Sequence, residues 1–302
     1  MKIHFSNVNF SSRSGPNTFA HRLANQLEKI GHNIVSEKED YDTFLAFIEP
    51  TSTPRKNARF IQRLDGIWFK PEQFESHNAN IKWAYDNCDS VIWQSNFDKK
   101  MTQKWWGNKP GEVVYNGIEI ENITAQKEIL DIKNKYKNIF VCSSSWHRQK
   151  RLKENISFFK KVSREDDCLI VMGNNPDYIV NESNIYYLGN VDHSTCLQIF
   201  SISDWMIHLA WLDHCPNVVV EALSQGCPVI CTDSGGTSEI VRDNGLIIHE
   251  SLEYNFDLLD YDLPYELDFT GILSLPEIKV ENEYLEIERV ARNYERICFS
   301  TK

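Results

Sequence analysis

Short apolar runs alternate with longer amphipathic stretches along the chain, and this alternation occurs in two rounds. A short apolar run bounded by turn-forming residues is typical of a buried strand, whereas apolar positions three and four residues apart are typical of a helix. Strands are predicted at 2–8, 43–48, 58–64, 90–94 and 112–115, and then at 139–142, 168–173, 185–189, 205–210 and 227–232. Helices are predicted at 18–30, 81–88, 96–105, 152–162, 195–201, 217–223 and 282–298. The pattern predicts an α/β protein with parallel sheets.

The two rounds indicate two domains. The 302 residues exceed the usual size of one domain, and 41% apolar residues can fill two cores. We expect a first domain over residues 1–122, a second domain over 136–281 and a hinge near 122–135. The acidic, proline-broken stretch 252–279 is expected to pack on the second domain without contributing chemistry.

Composition narrows the classes of function. The net charge of −11 argues against a nucleic-acid or general anionic-membrane binder, because neutralising phosphates requires excess Lys and Arg. Local basic patches leave a peripheral membrane contact open. No apolar run approaches the ~20 residues of a transmembrane segment, and the first residues resemble a strand rather than a secretory signal. The eight scattered cysteines form no Cys-x-x-Cys pair, so we expect a reduced, cytoplasmic chain without a zinc site.

Candidate chemistry is concentrated between residues 211 and 241. Asp213 and Glu221, separated by seven residues, flank the start of a predicted helix. The strand that follows leads into a loop where Gly235 and Gly236 would let a ligand approach the backbone. Free N–H groups up to Thr237 and the positive end of the next helix make this loop a candidate anion site.

A second polar loop, 143–151, follows the first strand of the second round. Cations placed after a strand and at a helix start suit a diphosphate, because charge, N–H groups and helix dipole act together. Arg148 and Lys150 are the candidates. A solvated basic patch at a helix end is the alternative.

The order of these elements resembles the nucleotide-sugar site of retaining glycosyltransferases of group 1 (family four), which have the GT-B fold. The matching elements are Asp213, then Glu221-Ala-Leu, then Gly226-Cys-Pro-Val, and then Gly235-Gly-Thr-Ser-Glu. The resemblance implies two Rossmann-like domains whose parallel sheets face a central cleft. It also implies that domain 136–281 binds the nucleotide sugar, and that a helix within 282–302 returns to the N-terminal, acceptor-side domain.

The resemblance also implies roles for single residues. Asp213 would face the donor sugar, and Glu221 would accept hydrogen bonds from the ribose hydroxyls. Lys150 matches the family's lysine, while Arg148 or Arg151 would replace its arginine. With the backbone of 235–237 these donors would stabilise the departing diphosphate. Other residues implied to border the nucleotide are Gly15, Gly173, Asn190, Val191, His214 and Asn217.

Two further features belong to the first domain. Arg63-Leu-Asp65-Gly66 ends a predicted strand at the edge where open α/β sheets bind ligands, and it resembles a cleft-facing loop of some family members. Arg63 and Asp65 are therefore candidates for catalysis, and a structural ion pair is the alternative. The pair Asn116-Gly117 resembles a family turn before the hinge and is expected to adopt positive φ. In the second domain, His208 lies inside an apolar strand and is expected to be a satisfied core histidine.

The function implied is transfer of a sugar from a UDP-sugar or GDP-sugar to a hydroxyl of a glycan, lipid-linked or small-molecule acceptor, with retention of anomeric configuration. No cofactor is implied, and no metal is required if cationic side chains take up the diphosphate charge. One alternative is another GT-B-like enzyme, such as a sugar-nucleotide epimerase or a phosphorylase. Another is a catalytically weakened, sugar-nucleotide-binding homologue acting as a binding or partner module. Asp213 raises this alternative because the family's first acid is usually Glu, one methylene longer.

Overall fold

The computed structural model describes residues 1–12, 15–121 and 123–299. The chain divides into two compact units. Unit 1 comprises Met1–Glu119, Asn255–Asp260 and Tyr284–Lys302, and unit 2 comprises Ile120–Tyr254 and Tyr261–Glu283. Each unit is built on a parallel sheet with helices, which confirms the predicted α/β class.

Unit 1 contains a six-stranded parallel sheet in its described residues, with the order β2-β1-β3-β4-β5-β6. Its strands are β1 (Lys2–Ser6), β2 (Asn33–Val35), β3 (Thr43–Phe47), β4 (Arg59–Leu64), β5 (Ser90–Trp93) and β6 (Gly111–Val113). Its first helices are α1 (Gly15–Lys29), α2 (Pro71–Asn87) and α3 (Asn96–Trp106). Helix α2 starts ten residues before the prediction at 81. Its first turns are polar and give little periodicity, but Pro71 is well suited to a first helical position.

Unit 2 contains a second six-stranded parallel sheet in its described residues. Its strands are β7 (Asn138–Ser143), β8 (Asp167–Met172), β9 (Ile185–Gly189), β10 (Trp205–His208), β11 (Val229–Thr232) and β12 (Gly245–Ile248). Its helices are α4 (Lys127–Lys135), α5 (Leu152–Val162), α6 (His193–Ile202), α7 (Asn217–Ser224) and α8 (Thr237–Val241). The order β9-β8-β7-β10-β11-β12 is that of the Rossmann fold. From β7 the following strands are added towards one edge of the sheet, and from β10 they are added towards the other edge, so the strand order reverses between β7 and β10.

The segment predicted as a hinge is largely a helix of unit 2. Helix α4 is preceded by Gln126, whose backbone N–H donates to Gln198 Oε1 at 2.8 Å, and Lys133 pairs with Asp204 at 2.8 Å. The change from unit 1 to unit 2 falls earlier, between Glu119 and Ile120. Asn122, where the predicted hinge begins, lies outside the described residues.

Six residues of the acidic stretch 252–279 differ from the expectation that the whole stretch packs on the second domain. Asn255–Asp260 belongs to unit 1. The ring of Phe256 lies 5.4 Å from that of Phe97, and the backbone carbonyl of Phe256 accepts from Trp105 Nε1 at 3.0 Å. The contacts of this partly buried aromatic side chain with unit 1 outweigh the acidic character of its neighbours.

A final helix, α9 (Ile287–Phe299), follows a single 3-10 turn and packs on α1 in unit 1. One face of α9 is apolar, and its side chains join the core under β1, β3 and β4. Val290, Ala291, Tyr294 and Ile297 are all buried there. Because each large apolar side chain contributes about 1.5–3 kcal/mol when fully buried, α9 is an integral part of this core.

Candidate functional site

The acids and cations singled out in the second half of the sequence lie at one edge of the unit 2 sheet. After β7 and β10 the chain leaves the sheet in opposite directions, and in open α/β sheets ligands bind in the crevice formed there. The segment after β7 carries Lys150, and the segment after β10 carries Asp213. Sequence reasoning placed both residues in loops, and the strand order makes these loops neighbours.

Lys150 and Asp213 form an ion pair, with 2.5 Å between Nζ and Oδ2. The same carboxylate oxygen lies 3.2 Å from His208 Nε2, and the other oxygen accepts from the backbone N–H of His214 at 2.9 Å. Burial alone would raise the pKa of Asp213, but Lys150 and His208 outweigh it and hold the pKa well below its usual range. Asp213 is therefore an ionised, firmly oriented acceptor.

His208 is buried at the end of β10, as expected for a core histidine, but its partner is the site acid. Sequence reasoning missed this contact. The spacing of five residues between His208 and Asp213 does not suggest it, because the contact depends on how the chain turns between them through Leu212, whose φ is +53°.

The Gly-Gly loop is joined to Asp213 through the backbone. Gly236 N–H donates to the Asp213 carbonyl at 2.7 Å, and residues 213 and 235 form an isolated parallel bridge. Gly235 has φ +81°, and a Cβ there would lie 2.4 Å from the Asp213 carbonyl oxygen, so glycine is required. The expectation of a loop with free N–H groups needs correction, because Gly236 N–H is already used.

Thr237 begins α8 and is almost fully buried. Within the described residues its Oγ1 has no hydrogen-bond partner, which is unusual for a buried hydroxyl. The helix that follows has only five residues, so its macrodipole is that of little more than one turn. The Thr237 hydroxyl is therefore a candidate donor in addition to the backbone groups that the sequence suggested.

Glu221 lies in α7 with only 8% of its surface exposed. Its Oε1 is 3.2 Å from His193 Nε2, at the start of α6. His193 is a second residue that the sequence analysis missed. The available signal was its position shortly after Asn190 and Val191, which were assigned to the nucleotide. Asn217 is the first residue of α7.

Gly173, Asn190 and Val191 follow β8 and β9 at the same edge of the sheet. Gly173 has φ +107°, and a Cβ there would lie 1.7 Å from the Ser144 carbonyl oxygen. This glycine is thus required by the close approach of two segments of the chain. Asn190 is exposed and Val191 is partly exposed, so both are accessible at this edge.

The two arginines of the 143–151 loop differ in environment. Arg148 begins a 3-10 turn that ends at Lys150, is exposed, and forms no ion pair with any described residue. Arg151 is buried and makes a bidentate ion pair with Glu250. Arg151 is therefore no longer a candidate for the cation that binds the diphosphate, and Arg148 remains the candidate arginine.

Arg63 and Asp65 belong to unit 1 and form an ion pair. Arg63 is fully buried, donates to Asn116 Oδ1 at 2.8 Å and places its guanidinium 4.5 Å from the centre of the Phe19 ring. Asp65 retains 15% side-chain exposure at the end of β4. This is the geometry of the structural ion pair that the sequence left open as an alternative.

Two predictions for unit 1 concerned Gly15 and the pair Asn116-Gly117. Gly15 begins α1, and the neighbouring residues of its loop, Arg13 and Ser14, lie outside the described residues. Neither Asn116 nor Gly117 has positive φ, so that expectation was wrong. Gly117 is needed because a Cβ would lie 2.8 Å from a methyl group of Val290, and the Asn116 amide donates to Gln94 Oε1.

Within residues 1–12, 15–121 and 123–299, the chain has neither a metal-binding group nor a helix suited to a membrane. No group of three or more His, Cys, Asp or Glu residues has the arrangement of a metal site in this part of the chain. Among the described helices, none combines the length and apolar character needed to cross a membrane.

Part of the chain is similar in sequence to known glycosyltransferases. Residues 123–254 match the family described as glycosyl transferases group 1. The chain is 26% identical over 150 residues to N-acetyl-alpha-D-glucosaminyl L-malate synthase of Bacillus anthracis, covering 45% of this chain and 39% of that enzyme. It is 26% identical over 236 residues to an uncharacterized glycosyltransferase of Methanocaldococcus jannaschii, covering 66% and 54%. The chain thus spans about half the length of these relatives or less.

Solved glycosyltransferase structures share the fold. HepE of Anabaena, in complex with UDP-glucose, superposes with a TM-score of 0.58 at 17% identity over 83% of this chain and 86% of that one. AviGT4, involved in avilamycin A biosynthesis, superposes with a TM-score of 0.60 at 14% identity over 100% and 99%. The matched residues 123–254 include both acids and the Gly-Gly loop. As the motif predicted, residues 123–254 match the group 1 glycosyltransferase family, and the chain has the GT-B fold.

Proposed function

We propose that the protein is a retaining glycosyltransferase that moves a sugar from a nucleoside diphosphate sugar to an acceptor hydroxyl. The observation that carries the proposal is the ion pair between Lys150 and Asp213 at the reversal point of the unit 2 sheet. Glu221 and the Gly235–Thr237 loop belong to the same unit, and the loop is bonded directly to Asp213.

Lys150 is proposed to bind the diphosphate. Its ammonium group has three donor hydrogens, so it can keep its bond to Asp213 and still donate to phosphate oxygens. The leaving diphosphate gains negative charge in the transition state, and a cation already held in place stabilises that charge without reorganisation. Arg148 and the Thr237 hydroxyl supply further donors. This set of donors supports the proposal that no metal is required.

Asp213 is proposed to orient the donor sugar. A carboxylate offers about four lone-pair sites, and three bonds to Asp213 are accounted for by Lys150, His208 and the His214 backbone. The remaining acceptor position suits one sugar hydroxyl. Asp213 is also ionised and rigid, which makes it a stronger acceptor than a neutral, mobile group.

Glu221 is proposed to bind the ribose. One carboxylate oxygen, Oε1, is near His193, and the carboxylate has acceptor sites for both ribose hydroxyls. The UDP-glucose bound to HepE, which shares the fold, makes a UDP-sugar the first donor to test. The resemblance to retaining group 1 glycosyltransferases supports retention of anomeric configuration. The eight buried free thiols support a reducing location such as the cytoplasm.

The test is a panel of UDP-, GDP- and dTDP-sugars, assayed for donor hydrolysis and for transfer to mixed glycan acceptors. We expect turnover with one nucleotide class and a product of unchanged anomeric configuration by NMR. Lys150→Ala should lower kcat/KM. The loss should correspond to about 2–4 kcal/mol of transition-state stabilisation, the scale of one preorganised donor. The exposed Lys153→Ala on α5 is the matched control.

Each other result has a distinct meaning. Nucleotide binding without any transfer would support the alternative of a weakened homologue acting as a binding module. An inverted product would overturn the retaining assignment. Normal turnover in Lys150→Ala together with loss in Arg148→Ala would show that the arginine is the essential cation.

A further inference from the structure

A buried ion pair connects Arg151 to Glu250 in unit 2. Arg151 Nη1 and Nη2 lie 2.6 and 3.1 Å from the two carboxylate oxygens of Glu250, and the two side chains are 0% and 5% exposed. Removing two charges from water is unfavourable unless the geometry is excellent and additional hydrogen bonds are made. Here Nη2 also donates to the Tyr265 carbonyl at 2.7 Å.

The backbone of Arg151 is held in a conformation that is rare for arginine. Its φ of +54° and ψ of +49° are left-handed, at the junction between the 3-10 turn that ends at Lys150 and helix α5. The Arg151 carbonyl accepts from the backbone and the side chain of Asn155 at 3.0 and 2.6 Å. Such conformations persist where the surroundings enforce them. The direction in which Lys150 leaves the turn therefore depends on how Arg151 is fixed.

Glu250 reaches the second loop through Ser234. Its Oε1 accepts from Ser234 Oγ at 2.9 Å, and Ser234 directly precedes Gly235. The Ser234 hydroxyl in turn lies 2.9 Å from Thr232 Oγ1 at the end of β11. One buried carboxylate thus contacts the residue after Lys150 and the residue before the Gly-Gly turn.

We propose that the Arg151–Glu250 ion pair is a positioning element for diphosphate recognition. Through Arg151 it sets the position of Lys150, and through Ser234 it sets the position of Gly235–Thr237. Neither Arg151 nor Glu250 contacts the diphosphate itself. This role rests on the function proposed above, in which those two loops bind the diphosphate and Glu221 binds the ribose.

The experiment compares nucleoside diphosphates with the matching nucleosides. Calorimetry measures UDP and uridine, and GDP and guanosine, with the wild type, Glu250→Gln and Ser234→Ala. We expect the diphosphate affinity to fall about tenfold in each variant, the scale of one net hydrogen bond, while the nucleoside affinity stays unchanged. His249→Ala, at an adjacent side chain that is 85% exposed, is the control and should keep both affinities.

The affinity ratio separates positioning from general stability. A purely structural role would lower the melting temperature and leave the ratio of diphosphate to nucleoside affinity as in the wild type, which would overturn the positioning role with the proposed function intact. A wild type that binds UDP and GDP no more tightly than uridine and guanosine would overturn the proposed diphosphate site and, with it, this role. If Glu250→Gln does not fold, Ser234→Ala, which keeps the ion pair, decides the question.

Discussion

Asp213 shows how a single side chain is constrained from several directions. Lys150, His208 and the backbone N–H of His214 all donate to its carboxylate, and the Gly236 N–H is bonded to its carbonyl. An acid with this many partners has little rotamer freedom, so a ligand hydroxyl meets an acceptor that is already oriented. Asp213, one methylene shorter than a Glu, is contacted directly by Lys150.

Asp213→Asn should lower sugar transfer strongly without lowering the affinity for the free nucleoside diphosphate. The amide keeps the shape but offers a weaker acceptor to the donor sugar, while the proposed ribose and diphosphate contacts lie on other residues. Steady-state kinetics and calorimetry with UDP and GDP measure the two quantities. A parallel fall of transfer and nucleotide affinity would contradict this division between sugar and nucleotide contacts.

The depressed pKa of Asp213 also predicts how stability depends on pH. A carboxyl that binds its proton less readily in the folded state stabilises the fold above its unfolded pKa of about 4, and this contribution is lost as pH falls toward the folded pKa. Urea denaturation at several pH values should therefore show the stability difference between wild type and Asp213→Asn shrinking below about pH 4. A difference that grows on acidification would refute the ionised, paired Asp213.

Glu221→Gln should weaken nucleoside diphosphate binding more than it affects folding. The amide has one acceptor and no charge, whereas the proposed ribose contact uses two acceptor oxygens. Loss of one charge-assisted hydrogen bond corresponds to about 1.5–3 kcal/mol, which calorimetry resolves easily. The control is Gln225→Ala, just after the same helix. Unchanged affinity in Glu221→Gln would remove this residue from the site.

At the scale of elements, the Gly-Gly loop and the segment after β10 behave as one unit because their backbones touch. Residues 213 and 235 pair as an isolated bridge, and Gly235 has space for hydrogen only. The position of the Gly235–Thr237 loop is therefore set by the main chain of Asp213, while the position of Asp213 is set by β10. A substitution in this contact moves two site elements together.

Gly235→Ala should destabilise the fold more than Gly226→Ala. Both glycines have positive φ, at +81° and +76°, but a Cβ at Gly226 meets nothing within 4 Å, whereas at Gly235 it meets the Asp213 backbone at 2.4 Å. The left-handed conformation alone costs about 1–2 kcal/mol in each variant. Any additional loss of stability in Gly235→Ala, relative to Gly226→Ala, measures the clash with the Asp213 backbone. Equal midpoints in urea denaturation would show that the two segments separate without cost.

At the scale of the whole molecule, the chain forms two units with separate cores. The C-terminal helix α9 completes the core of unit 1, whereas the acids and cations of the proposed nucleotide site all lie in unit 2. Mutations in one core should therefore change the stability of one unit without changing the ligand contacts of the other.

Tyr294→Ala tests this separation. Tyr294 is fully buried in α9, and replacing a large buried aromatic side chain with Ala costs about 3–5 kcal/mol. We expect an earlier unfolding transition for unit 1 and unchanged calorimetric affinity for the nucleoside diphosphate. Arg292→Ala, exposed on the same helix, is the control. Nucleotide affinity that falls in step with stability would show that the two units do not act independently.

Several features were determined by the sequence alone, because they depend on local patterns. Strands such as Ile185–Gly189 and helices such as Leu152–Val162 match their predicted limits, since apolar runs, turn-forming residues and periodicity are properties of neighbouring residues. The linked motif from Asp213 to Glu239 predicted the similarity to group 1 glycosyltransferases that residues 123–254 show. Strand β2 was not predicted, because its three residues are only partly buried or exposed and form no clear apolar run.

Other features were decided only by the tertiary structure, because they depend on residues distant along the chain. The pairing of Lys150 with Asp213 across 63 residues and the burial of Arg151 against Glu250 across 99 residues arise when parallel strands bring their following loops together. Asn116-Gly117 is similar: the dipeptide suggested a turn with positive φ, but contacts with Arg63 and Val290 explain both residues. Residue type therefore indicated the chemistry, while strand order decided which groups meet.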